Sequence, residues 1–236
     1  ESFIGGYLEK AKTYEQLGEF EDAIKNYLLT LELDDPTAFA FVRIGECYQK
    51  IGQLDEAISY YKKSVHEDPL LDKGWILLSE AYYVQEDYQK ALYYISKALK
   101  IDESNALYWR KYSDINIKLS FFEEAIKGFE NCIDLKDYSI EIYIALSDVL
   151  LFIGDFNDAL KVLISAQKIY KDFAEIEYRL AGLFFILNKE SYGFTHLING
   201  MKIDYEYHSI IAELFPTIHD NLEVQKLIKN YKKAME

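Results

Sequence analysis

The sequence predicts an all-α solenoid, in which helix pairs stack one after another. Three observations predict this class. One residue pattern recurs every 34 residues, large apolar residues recur at helical spacing, and no segment alternates as a β-strand does. The pattern is clearest in two successive segments: Phe41, Ile44, Gly45, Tyr48, Ala57 and Tyr61, then Trp75, Leu78, Ser79, Tyr82, Ala91 and Ile95.

Composition and charge limit the classes of partner that this chain is expected to bind. The chain has 236 residues, of which 50% are hydrophobic, enough to bury a sizeable core. Its formal net charge is −14, which argues against nucleic acid and an anionic membrane surface as partners, because both attract clustered lysine and arginine. A peptide with basic or neutral side chains remains compatible with this charge.

The two cysteines, Cys47 and Cys132, fall in small core slots of different repeats. Along a solenoid their separation exceeds the ~7 Å between Cα atoms that a disulfide allows, so we expect two buried free thiols. Free thiols favour a reducing compartment, and we expect a cytoplasmic location. No signal peptide and no apolar run of transmembrane length is visible. Because the chain starts at Glu1 inside a first repeat, we expect a piece of a longer protein, which leaves an upstream signal open.

The recurring pattern resembles the tetratricopeptide repeat (TPR), whose signature is W-x2-L-G-x2-Y followed by A-x3-F and P. The resemblance implies a right-handed superhelix of helix-turn-helix repeats whose usual work is holding other proteins. It divides the chain into six repeats and a C-terminal cap: about 4–37, 38–71, 72–105, 106–139, 140–173 and 174–205, then capping helices over 206–236.

The repeats differ in how closely they follow the signature. The first repeat ends at residues 31–36 with LELDDP, which is one residue longer than the common LELDP ending. The second repeat matches the signature at every position. The third has Glu86 where glycine usually joins the two helices, and the fourth has Asn116 in an aromatic slot. The fifth regains its turn glycine. The sixth is the weakest, because Gly193 and Gly200 replace two helical alanines.

The pattern breaks at Glu206, and two capping helices are predicted beyond it. The first ends near Pro216. Asp220 and Glu223 are spaced as an N-cap and capping box for the second, whose outer face carries lysines. This region also resembles the ends of some bacterial TPR proteins of unassigned function.

One slot on the first helix of four repeats carries an acid, and we expect these acids to form a ladder in the groove: Glu46, Glu80, Asp114 and Asp148. Glu80 and Asp148 have no basic neighbour on their own helix and are surrounded by apolar residues. This setting suits a ligand that offers a cation and an apolar side chain. The alternative is a merely solvated slot, or pairing of Glu80 with Lys73 or Arg110 across repeats.

An apolar stripe accompanies the ladder on the same helices, and the predicted groove residues in it are Tyr83, Ile117, Leu151, Phe152, Tyr178 and Phe185. Together with Glu80 and Asp148, most of this stripe is the hypothetical contact surface, in the middle and C-terminal groove. The alternative is that the stripe packs between repeats.

The sequence indicates a non-catalytic scaffold that binds another protein or peptide with basic and apolar side chains. No metal-binding spacing, P-loop or nucleophile motif occurs, so no catalytic residue, cofactor or metal is expected. The chaperone-binding subclass of TPR proteins grips a terminal carboxylate, which acids such as Glu46 would repel, so a chaperone tail is rejected as the partner. The alternative is a spacer or self-association module whose activity lies upstream of residue 1. A third alternative is a regulatory module whose superhelix changes pitch when it binds a small peptide.

Overall fold

The computed structural model describes residues 3–33 and 37–235, which form fifteen α-helices, one 3₁₀ turn and no strand. The all-α solenoid predicted from the sequence is confirmed. The exit of the first repeat at 34–36 lies outside the described residues. The helices are α1 Phe3–Leu17, α2 Phe20–Leu33, α3 Ala38–Lys50, α4 Leu54–Glu67, α5 Asp72–Val84, α6 Tyr88–Ile101, α7 Ala106–Lys118, α8 Phe122–Asp134, α9 Ile140–Ile153, α10 Phe156–Ile169, α11 Ala174–Ile186, α12 Glu190–Ile203, α13 Ile210–Leu214, α14 Pro216–His219 and α15 Leu222–Met235.

Neighbouring helices pack as pairs, which are the repeats of the sequence pattern: α1 with α2, α3 with α4, α5 with α6, α9 with α10 and α11 with α12. The chain divides into two compact units, the first through Glu124 and the second from Ala125, with the division inside α8.

The two helices of a repeat approach closely at the small-residue slots. At Gly45, an added Cβ would overlap the ring of Tyr61 from the second helix of the pair. The second helices of four repeats carry an alanine at the same 34-residue spacing, and all four are fully buried: Ala57, Ala91, Ala125 and Ala159. In the third repeat the Ser79 hydroxyl donates a hydrogen bond of 2.8 Å to the Ala91 carbonyl, which satisfies the only polar atom that the slot introduces.

The turn inside each repeat contains one residue in the left-handed region, at the same 34-residue spacing. Glycine holds this position in three turns, at Gly18, Gly52 and Gly154, with φ of 78°, 80° and 83°. In the other three, Glu86, Ser120 and Asn188 adopt φ of 60°, 61° and 58°. The turn geometry is therefore kept where glycine is lost, at a conformational cost of about 1–2 kcal/mol for an ordinary side chain.

The C-terminal cap is more broken than predicted. A 3₁₀ turn over Glu206–Ser209 leads into α13, and Pro216 begins the short helix α14, where its missing N–H costs nothing. The predicted N-cap of α15 is wrong by one residue: the side chain of Asn221, and not that of Asp220, accepts hydrogen bonds from the amides of Glu223 and Val224.

Both cysteines are buried free thiols, as expected, and burial together with Glu15 raises the pKa of Cys47 to about 12. Among the described helices, none combines the length and apolar character that crossing a bilayer requires.

Substituting Ala91→Leu tests the helix crossing. Extra methyl groups at this fully buried site should overpack it and lower the free energy of unfolding by roughly 1–3 kcal/mol. Chemical denaturation measures the change. The control is Ala234→Leu, the same chemical change at an exposed position of α15, which should leave stability nearly unchanged. Equal stability of the two variants would show that the crossing is not tightly packed.

Substituting Glu86→Gly tests the strained turn. Glycine adopts a φ of 60° without steric cost, so this variant should gain about 1 kcal/mol of stability, less the entropy that glycine adds to the unfolded chain. The reciprocal change Gly52→Ala, in the same position of the preceding repeat, should lose a similar amount. Thermal melts that move both variants in one direction would contradict the assignment.

Candidate functional site

A large surface cleft lies in the first unit, against the first helices of three repeats. Its volume is about 820 Å³. Its lining comes from α1, α2, α3 and α5: Lys12, Glu15, Gln16, Phe20, Phe39, Arg43, Glu46, Gln49, Lys50 and Leu77. Most of these residues lie on the first helices, where the sequence placed the groove.

A second cleft adjoins the first, because Gln49 lines both. Its volume is about 290 Å³. Its lining contains three of the predicted site residues, Glu80, Tyr83 and Asp114, together with Ser79, Val84, Lys111 and Ile115. The two clefts therefore share a wall residue and lie next to each other within the first unit.

Hydrogen bonds and ion pairs connect several charged side chains of the larger cleft to one another. The Tyr27 hydroxyl donates to Glu15 at 2.6 Å, and the Arg43 guanidinium donates to Glu15 at 2.5 Å and to Glu46 at 2.9 Å. Lys73 reaches Glu46 from the next repeat at 2.8 Å. Burial, reinforced by the bond to Glu15, raises the pKa of Tyr27, so this hydroxyl remains a donor. Glu46 is thus an ion-paired acid with two cations.

The next rungs of the ladder are paired across repeats. Lys111 lies 3.0 Å from Glu80, and in the second unit Arg179 pairs with Asp148. The inference that these two acids lack a cation is wrong, because successive first helices pack side by side and bring the residue 31 positions onward into reach. The sequence carried this signal, since a cation stands 31 residues after Glu80 and after Asp148. Glu80 is paired across repeats, which is the alternative given for it above, but its cation is Lys111 and not Lys73 or Arg110.

Asp114 is different from the other three rungs. No hydrogen bond or ion pair to its carboxylate occurs among the residues that the structure describes, and residue 31 positions later in sequence is Ala145. Burial raises the pKa of Asp114, against the opposing effect of Arg110 and Lys111. A partly buried carboxylate without a bonded donor is the group in this cleft most in need of a partner.

The apolar candidates divide into accessible and buried residues. Tyr83, Ile117 and Leu151 are half-buried, and Phe152 is 74% exposed. Tyr83 packs edge-on against Tyr88, with 5.3 Å between ring centroids, which fixes its position in the wall of the smaller cleft. These residues can still contact a partner.

Tyr178 and Phe185 are buried, so the expectation that they face the groove is wrong. An added Cβ at Gly200 would lie 3.0 Å from the Tyr178 ring, and one at Gly193 would lie 2.9 Å from the Phe185 ring. The Tyr178 hydroxyl donates to the Asp204 carbonyl at 2.8 Å. Each glycine of α12 therefore makes room for a large side chain of α11. The sequence indicated the two unusual glycines, but not which aromatic side chains they accommodate.

The C-terminal cap covers the remaining face of α11. Phe215 lies over Gly182, the residue at the ladder slot of the sixth repeat, where any Cβ would overlap its ring. The Tyr207 hydroxyl donates to Glu175 at 2.8 Å, and Glu175 in turn accepts from Arg179 at 2.9 Å. The contacts of Phe215 with Gly182 and of Tyr207 with Glu175 were not predicted from the sequence. The glycine that ends the ladder was their only signal.

The helix pairs and their recurring small slots define a helical-repeat solenoid protein. Models of the tetratricopeptide repeat match residues 4–36, 40–69 and 72–105, so these three segments are tetratricopeptide repeats. A comparison with curated proteins found no match.

Solved structures share the fold at low sequence identity. MamA is 22% identical with a TM-score of 0.66, over 73% of this chain and 94% of its own. YrrB, described as a TPR protein with an unusual peptide-binding site, is 16% identical with a TM-score of 0.67, over 79% and 97%. A tetratricopeptide repeat protein from Parabacteroides merdae ATCC 43184 is 12% identical with a TM-score of 0.66, over 97% and 98%. These similarities show the fold alone.

Substituting Gly182→Ala tests the covered slot. The Phe215 ring is 2% exposed and cannot move aside freely, so the added methyl group should cost roughly 1–3 kcal/mol of stability. Gly6→Ala is the matched control, because this helical glycine has nothing within 4 Å of an added Cβ and should gain up to about 1 kcal/mol. In a Phe215→Ala background the cost at Gly182 should disappear. A cost that persists there would contradict the contact.

Proposed function

We propose that this TPR protein is a non-catalytic scaffold that binds a segment of another protein in the two clefts of the first unit. The observation that carries the proposal is that these clefts adjoin at Gln49 and include Asp114, a carboxylate without a bonded donor among the described residues. A combined site of this size accommodates several residues of an extended chain, because ligand pockets typically measure about 300–1,000 Å³.

The contacts that the clefts offer define the chemistry of the partner. Phe39 is 53% exposed and Val84 is 64% exposed, and both line the site. Apolar anchors of the partner should supply most of the affinity there, as buried apolar contacts do in most interfaces. Asp114 calls for a hydrogen-bond donor, which a lysine or arginine of the partner would provide together with a charge.

Because several acids of the ladder are ion-paired, we assign recognition of the partner's cation to Asp114. Glu46 and Glu80 already have cations, so a basic ligand would have to compete with Arg43, Lys73 and Lys111. In the second unit Asp148 is likewise paired, and its proposed role becomes secondary to that of Asp114. Ile117, Leu151 and Phe152 remain accessible for further contacts, whereas Tyr178 and Phe185 are withdrawn because they are buried.

Two further points support a binding role. A structural neighbour, YrrB, is described as having a peptide-binding site. Glu15, Glu46 and Glu80 of the clefts are held in ion pairs, which suits a preformed surface more than acid–base chemistry. The free buried thiols support our proposal of a reducing, cytoplasmic environment.

The test is selection of binding peptides from a random library displayed on phage, with the whole chain as the target. Selected sequences should combine a lysine or arginine with aromatic or aliphatic residues. In titrations with a selected peptide, Phe39→Ala combined with Val84→Ala should weaken binding about tenfold or more. Asp114→Asn should weaken it severalfold and reduce its salt dependence.

Two controls make the result specific. Leu70→Ala removes a comparably exposed apolar side chain outside the clefts, and Asp172→Asn removes one exposed acid in the second unit. Neither should change affinity. If no peptide is enriched and the purified chain instead self-associates, the spacer or self-association alternative replaces this proposal.

A further inference from the structure

Helix α6, the second helix of the third repeat, is basic although the chain as a whole is acidic. It contains Lys90, Lys97 and Lys100 but no aspartate or glutamate between Tyr88 and Ile101. The whole chain has 40 acids against 26 lysines and arginines. This helix is therefore a basic segment that the acidic composition does not predict, and it shares its positive net charge with α15, which has four lysines and one glutamate.

An exposed tyrosine stands at the centre of this positive surface. Tyr93 is 55% exposed, and it lines two shallow clefts of about 350 Å³ and 280 Å³. The linings contain no acid. The first consists of Gln89, Leu92, Tyr93, Ser96, Lys97 and Lys100, and the second of Lys62, Val65, His66, Trp75, Tyr93 and Tyr94.

The lysines around Tyr93 are not neutralised. Within the described part of the chain, Lys62, Lys97 and Lys100 have no carboxylate at ion-pair distance, whereas Lys90 is paired with Asp87 at 2.6 Å. The Lys97 ammonium lies 5.1 Å from the centroid of the Tyr93 ring. Tyr93 is itself held edge-on against Tyr94, with 5.1 Å between centroids. The result is a fixed aromatic ring between unpaired cations.

We infer that this lysine–tyrosine surface, formed by Lys62, Tyr93, Lys97 and Lys100, docks an acidic segment of a second protein partner. The acids of the segment pair with the lysines, and an apolar or aromatic side chain packs on Tyr93. The surface lies on the second helices α4 and α6, apart from the first-helix clefts of the proposed function, and does not depend on them.

The size and surroundings of the surface favour an acidic protein segment over a polyanion. Lys97 and Lys100 are separated by about 4.5 Å of helix rise, so the positive charge is compact and gives no track for successive phosphates. The net charge of −14 repels an extended nucleic acid or an anionic membrane. A short acidic segment feels mainly the nearby lysines, because salt screens charges beyond about 8 Å.

The experiment measures fluorescence anisotropy of a fluorescein-labelled peptide, Glu-Asp-Glu-Phe-Asp-Glu-Asp, against the full chain at low and high salt. Binding should be detectable at about 0.15 M salt, where the Debye length is about 8 Å, and weaken as salt rises further. Lys97→Gln combined with Lys100→Gln should weaken it about fivefold or more, since exposed ion pairs each contribute little. Tyr93→Ala should weaken the phenylalanine peptide but not a version with serine in its place.

The matched control is Lys161→Gln combined with Lys168→Gln on α10, which removes the same two positive charges from the chain, with Lys168 two repeats after Lys100. Circular dichroism verifies that all variants fold. Equal loss of binding in the control variant, or no binding by wild type, would overturn the proposal.

Other occupants of the surface are distinguished in the same samples. Single-stranded DNA or vesicles with anionic lipid that bind more tightly than the peptide, with the same dependence on Lys97 and Lys100, would replace the acidic protein segment by a polyanion. Self-association in sedimentation experiments that the double variant abolishes would identify a second copy of this chain as the occupant and would overturn the proposal.

Discussion

The close crossing of the two helices in each repeat is the constraint on which the other features depend. A small residue on the first helix faces a fully buried alanine on the second, so the two backbones approach until larger side chains interlock on either side. Because this crossing recurs every 34 residues, side chains at equivalent positions of the first helices are brought alongside one another. The paired acids and the clefts of the first unit are consequences of that arrangement.

The features predicted well from the sequence are those that a single repeat determines. The small slots, the helix pairs and the buried alanines follow from local spacing, and even Glu86 and Ser120 keep the turn geometry that glycine provides elsewhere. The neighbouring repeats fix the conformation at these positions strongly enough to override the preference of an individual residue.

Features that depend on two distant segments were predicted poorly. The Glu80–Lys111 pair needs the packing of successive repeats, and burial of Tyr178 needs a glycine in a different helix. Phe215 could not be placed on Gly182 from spacing, because the cap does not follow the repeat period. In each case one residue of a contacting pair stood out in the sequence. Its contact partner could be identified only from the positions of the helices.

The cross-repeat ion pairs also bear on the elasticity of each unit. Lys73 and Lys111 each bridge from one first helix to the one before it, and Arg179 does so in the second unit. Bending that moves successive first helices apart must lengthen these ion pairs. Bending in the opposite direction leaves the ion pairs intact. Since such pairs are screened by salt, the stiffness of a unit toward opening is coupled to ionic strength, while its stiffness toward closing is set by the packed side chains.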